Sequence, residues 1–143
     1  MGDKFIIVCL WMRKIYGLRK ISYLILKMIG VEIPLTVQIG RDVVLAHWAT
    51  GLVIHGSTII GNNVTIYQGV TIGRADVNRN RHRKIRIEIQ DGAILCAGAK
   101  ILCAGDELIV GQYSVVGANS VLLNSTEKRS VWAGIPATKI SQA

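Results

Sequence analysis

Three histidines, His47, His55 and His82, carry this chain's capacity for acid–base chemistry near neutral pH. A neutral imidazole titrates near working pH and can take a proton from an attacking hydroxyl. His82 lies in a densely basic run over residues 74–88, with Arg74, Arg79, Arg81, Arg83, Lys84 and Arg86. A cluster of that sign suits phosphate-bearing ligands. The cysteines, Cys9, Cys96 and Cys103, are odd in number and form no CxxC pair. They read as reduced, small, partly buried side chains of a cytoplasmic protein.

The elements that must position these groups follow from a strict repeat. Aliphatic residues recur every six positions in four series: Ile33, Ile39, Leu45; Ile54, Ile60, Ile66, Ile72; Ile89, Leu95, Ile101; and Val110, Val116, Leu122. Four residues after many of them comes a small or branched side chain, as at Val37, Val43, Ala49, Thr58, Val64, Val70, Ala93, Ala99, Ser114 and Ser120. A period of six is wrong for an α-helix and too regular for a sandwich. It fits a parallel β-helix in which each hexad supplies one face and three hexads close a triangular coil. Coils stack at the ordinary strand spacing of about 4.8 Å, and aliphatic ladders replace a bulky core. The composition agrees: half the residues are hydrophobic, yet only 6% are aromatic, and Gly numbers 15. Gly40, Gly61, Gly73, Gly111 and Gly117 are expected at corners, with positive φ or tight packing. Residues 74–88 break the hexads and must form a loop that projects from the solenoid.

The chain divides into an N-terminal helical segment, 1–30, and a β-helix domain, 31–143. The first segment is one apolar helix, or two broken near Gly17. Arg13, Lys20 and Lys27 recur every seven residues, and Lys14 widens their face. Two readings stand: packing on the protein or another subunit, or peripheral contact with an anionic membrane at its cytoplasmic side. No run of about 20 uncharged apolar residues exists, which excludes a plain transmembrane helix. The start lacks the features of a signal peptide. The formal charge of +8 favours anionic partners. Nucleic acid is not expected, because the basic loop has no aromatic side chains for base stacking.

Taken together, residues 32–140 resemble the hexapeptide-repeat acyltransferases, in particular the serine acetyltransferase-like branch. The segments that carry the resemblance are EIPLTVQIGRDVVLAH, TGLVIHGSTIIGNNVTIYQGVTIG, GAILCAGAKIL, VVGANSVL and WAGIPATKI. The resemblance implies a left-handed β-helix, a homotrimer with sites between neighbouring solenoids, and acetyl-CoA as donor without a metal. It makes His47 the general base and places Glu32 where the family has an Asp paired with that base. It implies direct transfer: the base removes the acceptor proton and the oxygen attacks the thioester. Trp48 is one residue more than the family pattern holds. Aligning on Thr50-Gly51 instead would put Trp48 at the base position, but indole cannot do that work; His55 is the backup.

The resemblance also implies donor contacts at Gly73 and Arg74, at Ala97, Gly98 and Ala99, at Gly117 and Ala118, and at Lys139 toward phosphates. Small residues there let an extended thioester arm approach backbone N–H groups. Trp48, His55, Arg81 and His82 are the expected acceptor contacts. The family's serine enzymes carry an Asp just before the base, where this chain has Ala46, and a larger helical N-terminal part. Both departures favour a sugar hydroxyl, on a free or lipid-linked glycan in polysaccharide assembly, over serine. A non-catalytic, membrane-associated scaffold is the third reading.

Overall fold

A computed structural model describes residues 2–79 and 82–143. Arg81 therefore lies outside the described residues. Two helices, α1 (Gly2–Met12) and α2 (Arg19–Met28), precede a left-handed parallel β-helix closed by a C-terminal hairpin. One face stacks β1 (Gln38–Ile39), β4 (Thr58–Ile60), β7 (Arg86–Ile89) and β10 (Glu107–Val110). The second stacks β2 (Val44–Leu45), β5 (Thr65–Ile66), β8 (Ile94–Leu95) and β11 (Val115–Val116), then the antiparallel hairpin β13 (Ser130–Gly134) and β14 (Ala137–Gln142). The third stacks β3 (Val53–Ile54), β6 (Thr71–Arg74), β9 (Lys100–Cys103) and β12 (Val121–Leu122).

The hexads place these strands. Leu45, Ile66, Leu95 and Val116 form one inward ladder, each no more than 3% exposed. Ile54, Ile72, Ile101 and Leu122 form another. The residues four positions on, from Val37 to Ser120, are buried at the corners. Burial of this kind is worth about 25 cal/mol per Å² of apolar surface, so the ladders dominate the stability.

Register shows where the coil is interrupted. Val53 pairs with Thr71, eighteen residues on, which is one plain coil of three hexads. Val44 pairs with Thr65, three residues more than that, and the excess lies in the corner that holds His47. Thr65 pairs with Ile94, eleven more, and the excess is the loop between β6 and β7. The projecting loop is thus 75–85 rather than 74–88. Arg74 stays in β6 opposite Cys103, and Ile87 and Ile89 fill the first face.

The corner expectation needs correction. None of Gly40, Gly61, Gly73, Gly111 and Gly117 has positive φ. Gly40 is required by space: a Cβ there would lie 2.4 Å from the Gly61 carbonyl oxygen. For four of them the left-handed residue comes two positions later, at Asp42, Asn63, Tyr113 and Asn119. Gly73 has neither constraint; nothing lies within 4 Å of where its Cβ would be.

The break near Gly17 is real, and the two helices cap the open first coil. Ile6, Cys9, Ser22 and Leu26 are buried between helices and coil, and Ser22 Oγ donates to the Cys9 carbonyl at 2.6 Å. Arg13 turns inward and donates to the carbonyls of Ile33 (2.8 Å), Pro34 and Val37 (3.3 Å). Burial, then the nearby Arg19 charge, lowers its pKa. The seven-residue basic stripe is therefore not a free face: Arg13 caps carbonyls, and Lys27 pairs with Glu32 at 3.8 Å. Among the described residues no helix is long and apolar enough to cross a membrane.

Candidate functional site

The three extra residues of this coil are taken up after β2 in a tight turn of four residues, Ala46–Ala49. His47, Trp48 and Ala49 all adopt positive φ, at 52°, 61° and 49°. Each non-glycine residue in that region costs about 1–3 kcal/mol, and such strain gathers at functional sites. The turn persists because its ends are fixed: Leu45 and Ala49 are buried, and Leu52 donates to the Ala49 carbonyl at 2.9 Å. The geometry pushes His47 and Trp48 outward, and both are exposed. The added Trp48 is absorbed by this corner, and its ring packs on Phe5 of α1 at 5.7 Å between centroids.

His47 sits against the Tyr67 ring, 5.9 Å between centroids. The chain does not bring it to Glu32. The carboxylate of Glu32 pairs instead with Lys27, while its backbone bridges to the third face beside Val53. The expected dyad is therefore not made within one chain. Tyr67 escaped the sequence reading. The signal was present, since it follows Ile66 as Cys96 follows Leu95 and Gly117 follows Val116, which places all three on one edge.

That edge also carries Ala97, Gly98, Ala99 and Ala118. The N–H of Gly98 donates to the Gln68 carbonyl and that of Asn119 to the Ala97 carbonyl, both at 2.9 Å. The N–H groups of Ala97 and Ala118 make no hydrogen bond among the described residues and remain free to meet a ligand. This fits a polar arm running along the edge. Burial pushes the Cys96 and Cys103 thiols above their ordinary pKa, which leaves them poor nucleophiles.

His55, Gly73 and Arg74 lie on a different edge, at the far end of the third face from His47. His55 Nδ1 accepts the Ser57 N–H at 3.2 Å and lies 2.8 Å from Ser57 Oγ. Burial, then the charge of Arg74, lowers its pKa, so it is neutral at pH 7. Arg74 is not a free phosphate contact. It holds Asp76 through Nε at 3.1 Å and donates to the Arg83 carbonyl at 2.5 Å, anchoring the base of the loop. Lys139 is likewise engaged, with Glu127 at 2.6 Å. His82 is exposed on the loop. The residues named from sequence thus fall on two edges, and one chain does not gather them. Among the described residues no cluster of His, Cys, Asp or Glu could hold a metal ion.

A parallel β-helix of hexapeptide coils, with a histidine presented on a strained corner, defines the chain as a hexapeptide-repeat solenoid. No family model matches it. Among curated proteins it is 40% identical over 113 residues to the serine acetyltransferase of Haemophilus influenzae, covering 78% of this chain and 39% of that one. It is 38% identical over 134 residues to the serine acetyltransferase of Staphylococcus xylosus, covering 93% and 59%. Among solved structures it superposes on a serine acetyltransferase from Brucella abortus in complex with coenzyme A. The TM-score there is 0.76 at 29% identity, over 98% of this chain and 54% of that one. The chain spans about half the length of the curated relatives it matches.

Proposed function

We propose that this chain is an acetyl-CoA-dependent O-acetyltransferase that acts on the hydroxyl of serine. The observation that carries the reading is His47, an exposed imidazole on a left-handed corner, beside an edge with unused backbone N–H groups. The two relatives named above support serine, since both are serine acetyltransferases. Neither name carries the sugar acceptor favoured by Ala46 and by the short helical segment. Length before the repeat carries no weight, because the chain matches only part of each relative.

The thioester donor supplies an activated acetyl group. The chain's part is a base, a donor edge and an open approach. The His47 imidazole takes the acceptor's proton as the oxygen attacks, and returns it to the departing sulfur. The unused N–H groups of Ala97 and Ala118 are available to the amide carbonyls of the donor's extended arm. Small side chains at Ala97, Gly98 and Gly117 let the donor arm lie close to the main chain. Tyr67 packs on the base and limits its rotation. Glu32 and the second edge, with His55, Gly73 and His82, belong to the same reading through a homotrimer, in which a neighbouring solenoid faces His47. A cytoplasmic seat with contact to an anionic membrane is part of it.

The test is release of free thiol from acetyl-CoA against a panel of serine and nucleotide- or lipid-linked sugars. Transfer to serine supports the proposal. Transfer to a sugar alone overturns the acceptor. No turnover and no binding of acetyl-CoA leaves the non-catalytic scaffold in its place.

A further inference from the structure

A groove of about 740 Å³ runs between α1 and the first coil, outside the edge that bears His47. Ile7, Leu10, Trp11, Leu35, Val37 and Val43 give it apolar walls. Trp11 is 61% and Ile7 54% exposed, although each could turn inward on a helix whose other face is buried. The rim holds Lys14, Arg19 and Arg41, none of whose side chains has a hydrogen-bond or ion-pair partner among the described residues, against one carboxylate, Asp42. Beyond the rim, α2 turns Lys20, Ile21, Leu24 and Met28 outward. Residues 1–30 hold six Lys and Arg against one Asp.

We propose that this groove and rim dock the chain on an anionic phospholipid bilayer. Apolar walls beside unpaired cations match a lipid, whose chain is apolar and whose phosphate is charged at one end. Arg13 is excluded from the contact, because its guanidinium is spent on the first coil's carbonyls. A second copy docked groove to groove is the poorer occupant: two such rims face to face would oppose six unpaired cations across an apolar seam. The inference deepens the membrane contact named in the proposed function and does not depend on acetyl transfer.

The experiment is cosedimentation of the full chain with vesicles of phosphatidylglycerol and of phosphatidylcholine, at low and at 0.5 M salt. Binding to the anionic vesicles alone, weakened by salt, is expected. Each rim cation contributes about fivefold, so the triple variant Lys14→Gln, Arg19→Gln, Arg41→Gln should bind about 100-fold more weakly. A charge-matched control, Arg79→Gln, Lys84→Gln, Lys128→Gln, should stay within about threefold of the parent. Brominated acyl chains should quench tryptophan emission in the parent and less in Trp11→Gln. Equal binding to both vesicle types, equal loss in the two triple variants, or no change in quenching with Trp11→Gln overturns the proposal. So does a fall in oligomeric mass in the rim variant, which would assign the groove to a second copy. Unfolding midpoints of all variants show that the fold is kept.

Discussion

Gly73→Ala separates what the fold needs from what a ligand needs. Gly73 lies at the end of the third face, in β6, paired with Leu102. An added methyl would meet nothing within 4 Å, and the residue's φ is not left-handed. The folded state therefore takes the methyl without strain, and the unfolded chain loses freedom. Stability should stay within about 0.5 kcal/mol of the parent, on the favourable side where strand geometry permits. The Gly40→Ala variant is the contrast, since its methyl would lie 2.4 Å from a backbone oxygen that cannot move alone. Overpacking against backbone should cost it about 1–3 kcal/mol or more. If the donor's arm passes Gly73, the same methyl intrudes on the bound ligand at a comparable cost, and KM for acetyl-CoA should rise about five- to 100-fold. Urea unfolding and initial rates against acetyl-CoA give both numbers on one preparation. A large loss of stability in Gly73→Ala would refute the open-space geometry. Unchanged stability with unchanged KM would remove Gly73 from the donor site.

Other consequences can be measured on the same material. Arg13→Leu leaves three carbonyls of the first coil without their donor, and should cost about 2–3 kcal/mol in urea unfolding. Ile87→Ala removes a fully buried side chain from the first face, and should cost about 2–5 kcal/mol by the same assay. His55 has a folded pKa below its ordinary 6.5, so the unfolded chain binds its proton more readily. Its contribution is present above pH 6.5 and is lost as pH falls through the lower folded value. His55→Gln should flatten that part of the stability–pH curve, and an unchanged slope would show that another group titrates there.

Much of the solenoid was legible, because in this fold one residue in six must be aliphatic and inward. Every aliphatic position of the repeat except Ile39 is buried, and the four-on positions seal the corners. The left-handed positions were misjudged, because the sequence rule that gives positive φ to glycine fails where Asp42, Asn63, Tyr113 and Asn119 take it instead. Their neighbours above and below in the stack fix the backbone, and the local residue type follows second. The role of Arg13 was hidden for a related reason: helical periodicity placed it with Lys20 and Lys27, but the carbonyls it serves belong to residues twenty or more positions away. At the site, His47 and Glu32 were named through the family resemblance; the fold sets His47 on an exposed corner, while the Glu32 carboxylate pairs with Lys27 and does not meet it. Arg74 and Lys139 were named for their charge, and the fold uses that charge on Asp76 and Glu127.

The central claim is that His47 removes the acceptor's proton. It is tested most directly by steady-state acetyl transfer from acetyl-CoA to serine in the parent and in His47→Asn, across pH 6 to 9. Asparagine keeps a polar side chain that tolerates the left-handed corner, so the fold should be preserved. The account predicts a loss of about 10²–10⁴-fold in kcat, little change in KM for acetyl-CoA, and disappearance of the imidazole limb of the pH profile. Retention of full activity and of that limb in His47→Asn would contradict it and move the base elsewhere.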